Sequence, residues 1–197
     1  LRLCGPLGAM TGQAPDRAIG ALLGLAVGDA VGTTLEFRPR DSYAHLTDMV
    51  GGGPFHLKPG MWTDDTSMAL CLAESLIERR GFDALDCMTR FRRWYREGHL
   101  SVTGRCFDIG NATRAAIQRF ERTGEPVAGD VAPGAAGNGS IMRLSPAAIM
   151  RWRDPVAAGE LAEAQGALTH RAPETLVACQ FMGALLAQAI GGLDKNG

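Results

Sequence analysis

Aromatic residues are scarce, at 6% of the chain, and no two cysteines form a C-x-x-C pair. The five cysteines, Cys4, Cys71, Cys87, Cys106 and Cys179, are scattered, and at least three fall in apolar helical patterns. They read as reduced core residues of a cytoplasmic protein. An excess of either charge is also lacking: 20 basic residues stand against 21 acidic ones, for a net charge of −1. No global field therefore draws the chain to nucleic acid or to an anionic membrane, and an anionic ligand must be held locally. No apolar run reaches the roughly 18 residues of a membrane span, and residues 1–9 lack the charged start and long apolar core of a signal peptide. Strand signals are sparse, and the G-x-x-x-x-G-K-[ST] phosphate loop is absent.

The two ends lack regular features. Leu1 is not methionine, Met10-Thr11-Gly12-Gln13 resembles a natural start, and residues 193–197 follow a long helix with no closing element. The expected organisation is a flexible segment over 1–15, one helical domain over 16–191 and a frayed tail over 192–197, as in a shortened chain.

What is present is enough apolar residue, 46% of 197 positions, to bury one core. Ile19, Leu22, Leu23, Ala26, Val27 and Ala30 follow i, i+3, i+4, i+7 spacing, so a helix runs from Asp16 with these positions on its core face. Gly20, Gly24 and Gly28 form a stripe on it that would admit another backbone closely. Further helices are expected over 66–79, from Leu85 past Tyr95, over 112–122 with Asn111 as its cap, over 141–150, over 155–168, and over 174–190 with Pro173 opening it. The fold class is all-α.

The chain is organised around Thr63-Asp64-Asp65-Thr66, where a loop becomes a helix. Thr66 or Asp65 can cap that helix, but two adjacent carboxylates are more acid than a cap needs. Unpaired and close, they repel each other unless a proton or cation intervenes, and Mg²⁺, Mn²⁺ or Ca²⁺ suits all-oxygen donors. Other helix-to-helix connections also carry chemistry-bearing residues. Glu36 follows the first helix, its plain alternative being a salt bridge to Arg38 or Arg40. Asp108 lies upstream of the 112–122 helix. Gly137-Asn138-Gly139-Ser140 precedes the expected 141–150 helix, where glycine-turn amides suit an anion. His170 precedes the last helix, and a lone histidine of this kind is more often structural. His45 and His56, in the long loop over 41–59, read as surface residues.

Five motifs in this order resemble the ADP-ribosylglycohydrolase family from Arg17 to about Ile190. They are Gly24-Leu25-Ala26-Val27-Gly28-Asp29-Ala30 with Glu36 beyond it, Thr63-Asp64-Asp65-Thr66, Phe107-Asp108-Ile109-Gly110-Asn111, Gly137-Asn138-Gly139-Ser140-Ile141-Met142-Arg143, and Leu168-Thr169-His170 with Pro173. The resemblance implies an orthogonal all-α bundle holding two Mg²⁺ or Mn²⁺ ions, with Thr63, Asp64 and Asp65 as ligands. It implies Glu36 and Asp108 at the ribose, Asn138, Gly139 and Ser140 against the ADP-ribose, and His170 lining the same cleft. The implied partner is an ADP-ribosylated protein, and the implied reaction is hydrolysis between ribose C1″ and the modified side chain, arginine first. Such a bond breaks through an oxocarbenium-like state, which suits Asp108 for proton transfer and Glu36 for water or ribose positioning, or the reverse. The second acidic motif of the family, D-x-D-[TS], does not occur after residue 130. A non-catalytic ADP-ribose-binding or structural relative and a metal-dependent phosphohydrolase are the competing readings.

Overall fold

A computed structural model describes residues 12–193 and is all-helical among them. Seven α-helices follow in order: α1 (Ala14–Gly32), α2 (Asp64–Arg79), α3 (Ala84–Glu97), α4 (Asn111–Thr123), α5 (Ser145–Met150), α6 (Pro155–Gly166) and α7 (Pro173–Gly191). Three short 3₁₀ turns, Thr33–Leu35, Pro133–Ala135 and Asn138–Ser140, stand in the connections. Extended pairing among the described residues is limited to two isolated bridges, Gly52 with Leu57 and Asp130 with His170.

Local chemistry sets most of the helix ends. The carboxylates of Asp83 and Asp154 accept the amides of Asp86 and Ala157 and so cap α3 and α6. Gly98, Gly124 and Gly192 turn left-handed behind α3, α4 and α7, and Arg80 does the same behind α2. Asn111 is the first residue of α4 rather than its cap, and Gly110 holds the cap position without a side-chain bond. The 141–150 helix is shorter than expected, because the chain turns through residues 141–144 before Pro146 opens α5.

The core is built by α2, α3, α4 and α6, with Met68, Leu72, Phe91, Trp94, Ile117 and Leu161 buried. The tightest helix packing joins α6 to α7: a Cβ on Gly183 would lie 2.6 Å from Ala162 Cβ and 2.8 Å from Ala158 O. The glycine stripe of α1 does not serve this purpose, for nothing lies within 4 Å of a Cβ at Gly20, Gly24 or Gly28. The expected core face of α1 is covered only in part, for Leu22 and Ala26 are half-buried. Ile19, Leu23 and Val27 are 57%, 58% and 50% exposed, while Ala14, Ala18, Asp29 and Ala30 are buried. Residues 14–35 and 173–191 are moreover long and apolar enough to cross a membrane by length and composition, although no such run was expected. These windows reach that threshold with glycine and alanine among larger apolar residues.

α1 begins at Ala14, so the last two residues of the expected flexible segment are helical. Leu193 N donates to Gln188 O beyond α7. Cys4, the start at Met10 and residues 194–197 lie outside the described residues. Cys71, Cys87 and Cys179 are buried free thiols and Cys106 is half-buried.

Candidate active site

The N-terminus of α2 needs acceptors for its free amides, and the expected caps do not supply them. Thr63 holds the cap position without a side-chain cap bond. Asp29, near the end of α1, supplies them instead. Its carboxylate accepts the Thr63 amide (3.0 Å), the Thr63 hydroxyl (2.7 Å), the Thr66 amide (3.1 Å) and the Thr66 hydroxyl (2.6 Å). The Ser67 hydroxyl completes the turn by donating to Thr63 O at 2.7 Å. One buried carboxylate thus caps the helix from another helix, leaving Asp64 and Asp65 free of capping duty.

These two acids face further acids. Burial first, then the charges of Asp65, Asp108 and Asp29, push Asp64 up to about 8, against the opposing pull of its backbone amide. Burial, then Asp29 and Glu36, push Asp65 up to about 6. Asp108 is raised to about 8 by burial, by a hydrogen bond with Glu36 and by the charges of Glu36, Asp65 and Asp29. A hydrogen bond between two carboxyl groups requires that the pair share a proton. Glu36 therefore pairs with Asp108. Among the described residues no ion pair joins it to Arg38 or Arg40.

The loops that bring Glu36 and Asp108 together are strained. Phe37, beside Glu36, has φ 60° and Asp108 has φ 55°. A left-handed backbone at residues with a Cβ costs roughly 1–3 kcal/mol each and persists only where its surroundings impose it.

In a second group of residues, the Asn138–Ser140 turn lies against His170. A Cβ on Gly139 would stand 2.7 Å from His170 Cε1 and 2.9 Å from Thr113 Oγ1, so only glycine fits between them. Beneath the turn is Arg143, which is fully buried. Its guanidinium donates to Gly139 O (2.9 Å), Gln165 Oε1 (2.9 Å), Gln165 O (3.0 Å) and Thr169 Oγ1 (2.9 Å), and it lies over the Phe91 ring. The Thr169 hydroxyl pairs with His170 Nδ1 at 2.8 Å. Burial, then the nearby Arg143 charge, lowers His170 to about 4, so its imidazole is neutral at pH 7. Burial lowers Arg143 to about 10, and it stays a cation.

The two halves meet through Met68, one turn beyond Asp64 on α2, whose sulfur accepts from Arg143 at 3.8 Å. They meet again where Gly139 abuts Thr113, at the start of α4. The glycine turn does not lie at a long helix N-terminus, as expected. It is its own 3₁₀ turn, and its Gly139 and Ser140 carbonyls accept from Arg143 and Gln165.

Hard oxygen donors under mutual repulsion suit a divalent ion such as Mg²⁺ or Mn²⁺. The raised acids Asp64 and Asp65 and the Thr63 hydroxyl oxygen have that chemistry. Among the described residues, however, no group of three or more His, Cys, Asp or Glu side chains is arranged to hold a metal ion.

A family profile described as ADP-ribosylglycohydrolase matches residues 10–196. The chain belongs to the ADP-ribosylglycohydrolase family. The ADP-ribosylarginine hydrolase Tri1 of Pseudomonas putida (strain GB-1) is 54% identical over 184 residues, which are 93% of this chain and 49% of the relative. Tri1 of Serratia proteamaculans (strain 568) is 50% identical, over 92% of this chain and 49% of the relative. The ADP-ribosyl-[dinitrogen reductase] glycohydrolase of Rhodospirillum rubrum is 39% identical, over 93% and 61%. The chain spans about half the length of the first two of these curated relatives. A solved structure titled "ADP-ribosylglycohydrolase-related protein complex" superposes with a TM-score of 0.81 at 46% identity, covering 93% of this chain and 59% of the other.

Glu36, Thr63, Asp64, Asp65 and Asp108 form one cluster in this family fold, and Asn138, Gly139, Ser140 and His170 form another. Sequence reasoning assigned no function to Asp29 or Arg143. The first carried a signal, since an acid in the last turn of an apolar helix opposes the helix dipole and calls for another partner. The second did too, as an arginine enclosed by Met142 and Leu144.

Proposed function

We propose that this chain provides the acid cluster of a hydrolase that cleaves the N-glycosidic bond between ADP-ribose and an arginine side chain, reversing mono-ADP-ribosylation. The hydrogen-bonded Glu36–Asp108 pair beside Asp64 and Asp65 carries this reading. The Tri1 relatives, named as ADP-ribosylarginine hydrolases, favour arginine as acceptor. Mg²⁺ or Mn²⁺ would be held by Thr63, Asp64 and Asp65. When bound, such an ion supplies Lewis acidity and fixes the ribose hydroxyls.

The chain's own residues account for the remaining chemistry. Carboxylates around the ribose stabilise the positive charge that develops at C1″ as the C1″–N bond breaks. The electron pair of that bond departs with the guanidine nitrogen, which takes the proton shared by the Glu36–Asp108 pair. Water adds to C1″, and the Glu36–Asp108 pair takes up the water's proton, so the pair ends with the proton count it began with. The neutral His170 and the Asn138–Ser140 turn hold the ADP-ribose, with the Arg143 cation beneath them. Asp29 keeps Thr63 and Thr66 in place.

Release of arginine from ADP-ribosylarginine with Mn²⁺, in the wild type and in Asp64→Asn and Asp108→Asn, tests this reading. Equal release in all three proteins would remove both assignments. A second reading, ADP-ribose binding without turnover, is favoured by the lack of a ready-made metal-holding group among the described residues. Calorimetric binding of ADP-ribose with no release in any condition would establish it.

A further inference from the structure

Three loops each bring one phenyl ring to the side of the acid pair. Phe37 follows Glu36, and Phe107 precedes Asp108. Phe55 sits in a turn closed by Gly52 N to Leu57 O (2.7 Å) and Leu57 N to Gly52 O (2.9 Å). The Phe37 and Phe55 centroids are 6.3 Å apart at 72°, and those of Phe55 and Phe107 are 5.3 Å apart at 62°. The loops are thus joined twice, by the Glu36–Asp108 hydrogen bond and by an edge-to-face row of rings.

This row is not core. Phe37 is 78% exposed, and Phe55 and Phe107 are half-buried. In a chain poor in aromatics, three clustered rings with open surface beside four carboxyl groups, those of Glu36, Asp64, Asp65 and Asp108, present two attractions for a cation. One is the negative potential of the acids, and the other is the negative face of each ring.

The site is polar in the same sense as the substrate. Its fully buried cation, Arg143, lies under the Asn138–Ser140 turn, whereas Glu36 and Asp108 adjoin Phe37 and Phe107 in the chain. ADP-ribosylarginine carries two phosphates at one end and a guanidinium at the other. The phosphates are repelled by the acids, which leaves the acid and ring side for the guanidinium.

We propose that the Phe37–Phe55–Phe107 row is the subsite that receives the guanidinium of the modified arginine, next to the bond that breaks. This rests on the function proposed above and deepens it. The row selects a cationic linkage over a neutral one, such as an ester of ADP-ribose.

Calorimetry in chelator, with ADP-ribosylarginine and with ADP-ribose, tests the proposal on the wild type, Phe37→Leu, Phe55→Leu and Phe55→Trp. Leucine keeps apolar volume and removes the ring, and at the exposed Phe37 it does not threaten folding. Each leucine variant should weaken ADP-ribosylarginine binding roughly 10-fold and leave ADP-ribose binding within about two-fold, while Phe55→Trp should retain wild-type discrimination. Equal weakening of both ligands, or of neither, overturns the subsite. Wild-type protein that binds ADP-ribose but gains nothing from the arginine overturns the subsite alone. Wild-type protein that binds neither ligand overturns the proposed function and the subsite together.

Discussion

The Asp29 carboxylate accepts from Thr66 twice, from its amide at 3.1 Å and its hydroxyl at 2.6 Å, although the two residues lie on different helices. With the matching bonds from Thr63, this contact fixes the start of α2, and therefore the two acids at its first turn.

Removing that acceptor should be expensive. Asp29→Ala leaves two amides and two hydroxyls unpaired in a buried position, and a loss of about 2–4 kcal/mol is expected in urea unfolding. Thr63→Val and Thr66→Val each remove one hydroxyl donor and should lose less than half of that. A loss under about 0.5 kcal/mol for Asp29→Ala would show that the α2 terminus does not depend on it.

The acids that repel one another should work against folding in the absence of a cation. Asp64→Asn is expected to raise the metal-free Tm by a few degrees, since it removes a buried carboxyl raised to about 8 by burial and its neighbours. The same substitution should abolish the Tm increase that Mn²⁺ produces in the wild type. A metal-independent Tm in the wild type would exclude Asp64 as a ligand in this chain.

His170 predicts an acid-side stability loss. Its folded pKa of about 4 lies below the ordinary 6.5, so the imidazole stays neutral in the fold. Above pH 6.5 neither state takes up a proton there, and the contribution is fully present. As pH falls from 6.5 to 4, the unfolded chain binds a proton that the folded chain does not, and stability drops by roughly 3 kcal/mol. Urea midpoints measured over that range should flatten in His170→Gln, and an unchanged slope would refute the assignment.

Arg143 is a buried cation satisfied by carbonyls, an amide oxygen and a hydroxyl rather than by a carboxylate. Arg143→Lys keeps the charge but loses the planar fork, and should cost about 2–4 kcal/mol. It should also loosen the Gly139–His170 contact, seen as a shift of the His170 imidazole resonances. A lysine variant of wild-type stability would show that charge alone suffices.

Much of this protein was legible before folding. Apolar spacing and Pro/Gly punctuation located the helices and their all-α class, because those signals act within one or two turns. The same local logic marked Thr63-Asp64-Asp65-Thr66 as too acidic for a cap. It failed on α1, where Ile19, Leu23 and Val27 are exposed: amphipathic spacing reveals a face and not what covers it. At Glu36 its plain alternative was a salt bridge to the near neighbours Arg38 or Arg40, and the partner is instead Asp108, which a different loop brings beside it. Only the tertiary structure decided that Asp29 caps α2, that Asp108 shares a hydrogen bond with Glu36, and that Arg143 lies under the Asn138–Ser140 turn. Each joins residues more than three apart in sequence through burial, and burial strengthens a charge interaction by removing the water that would screen it.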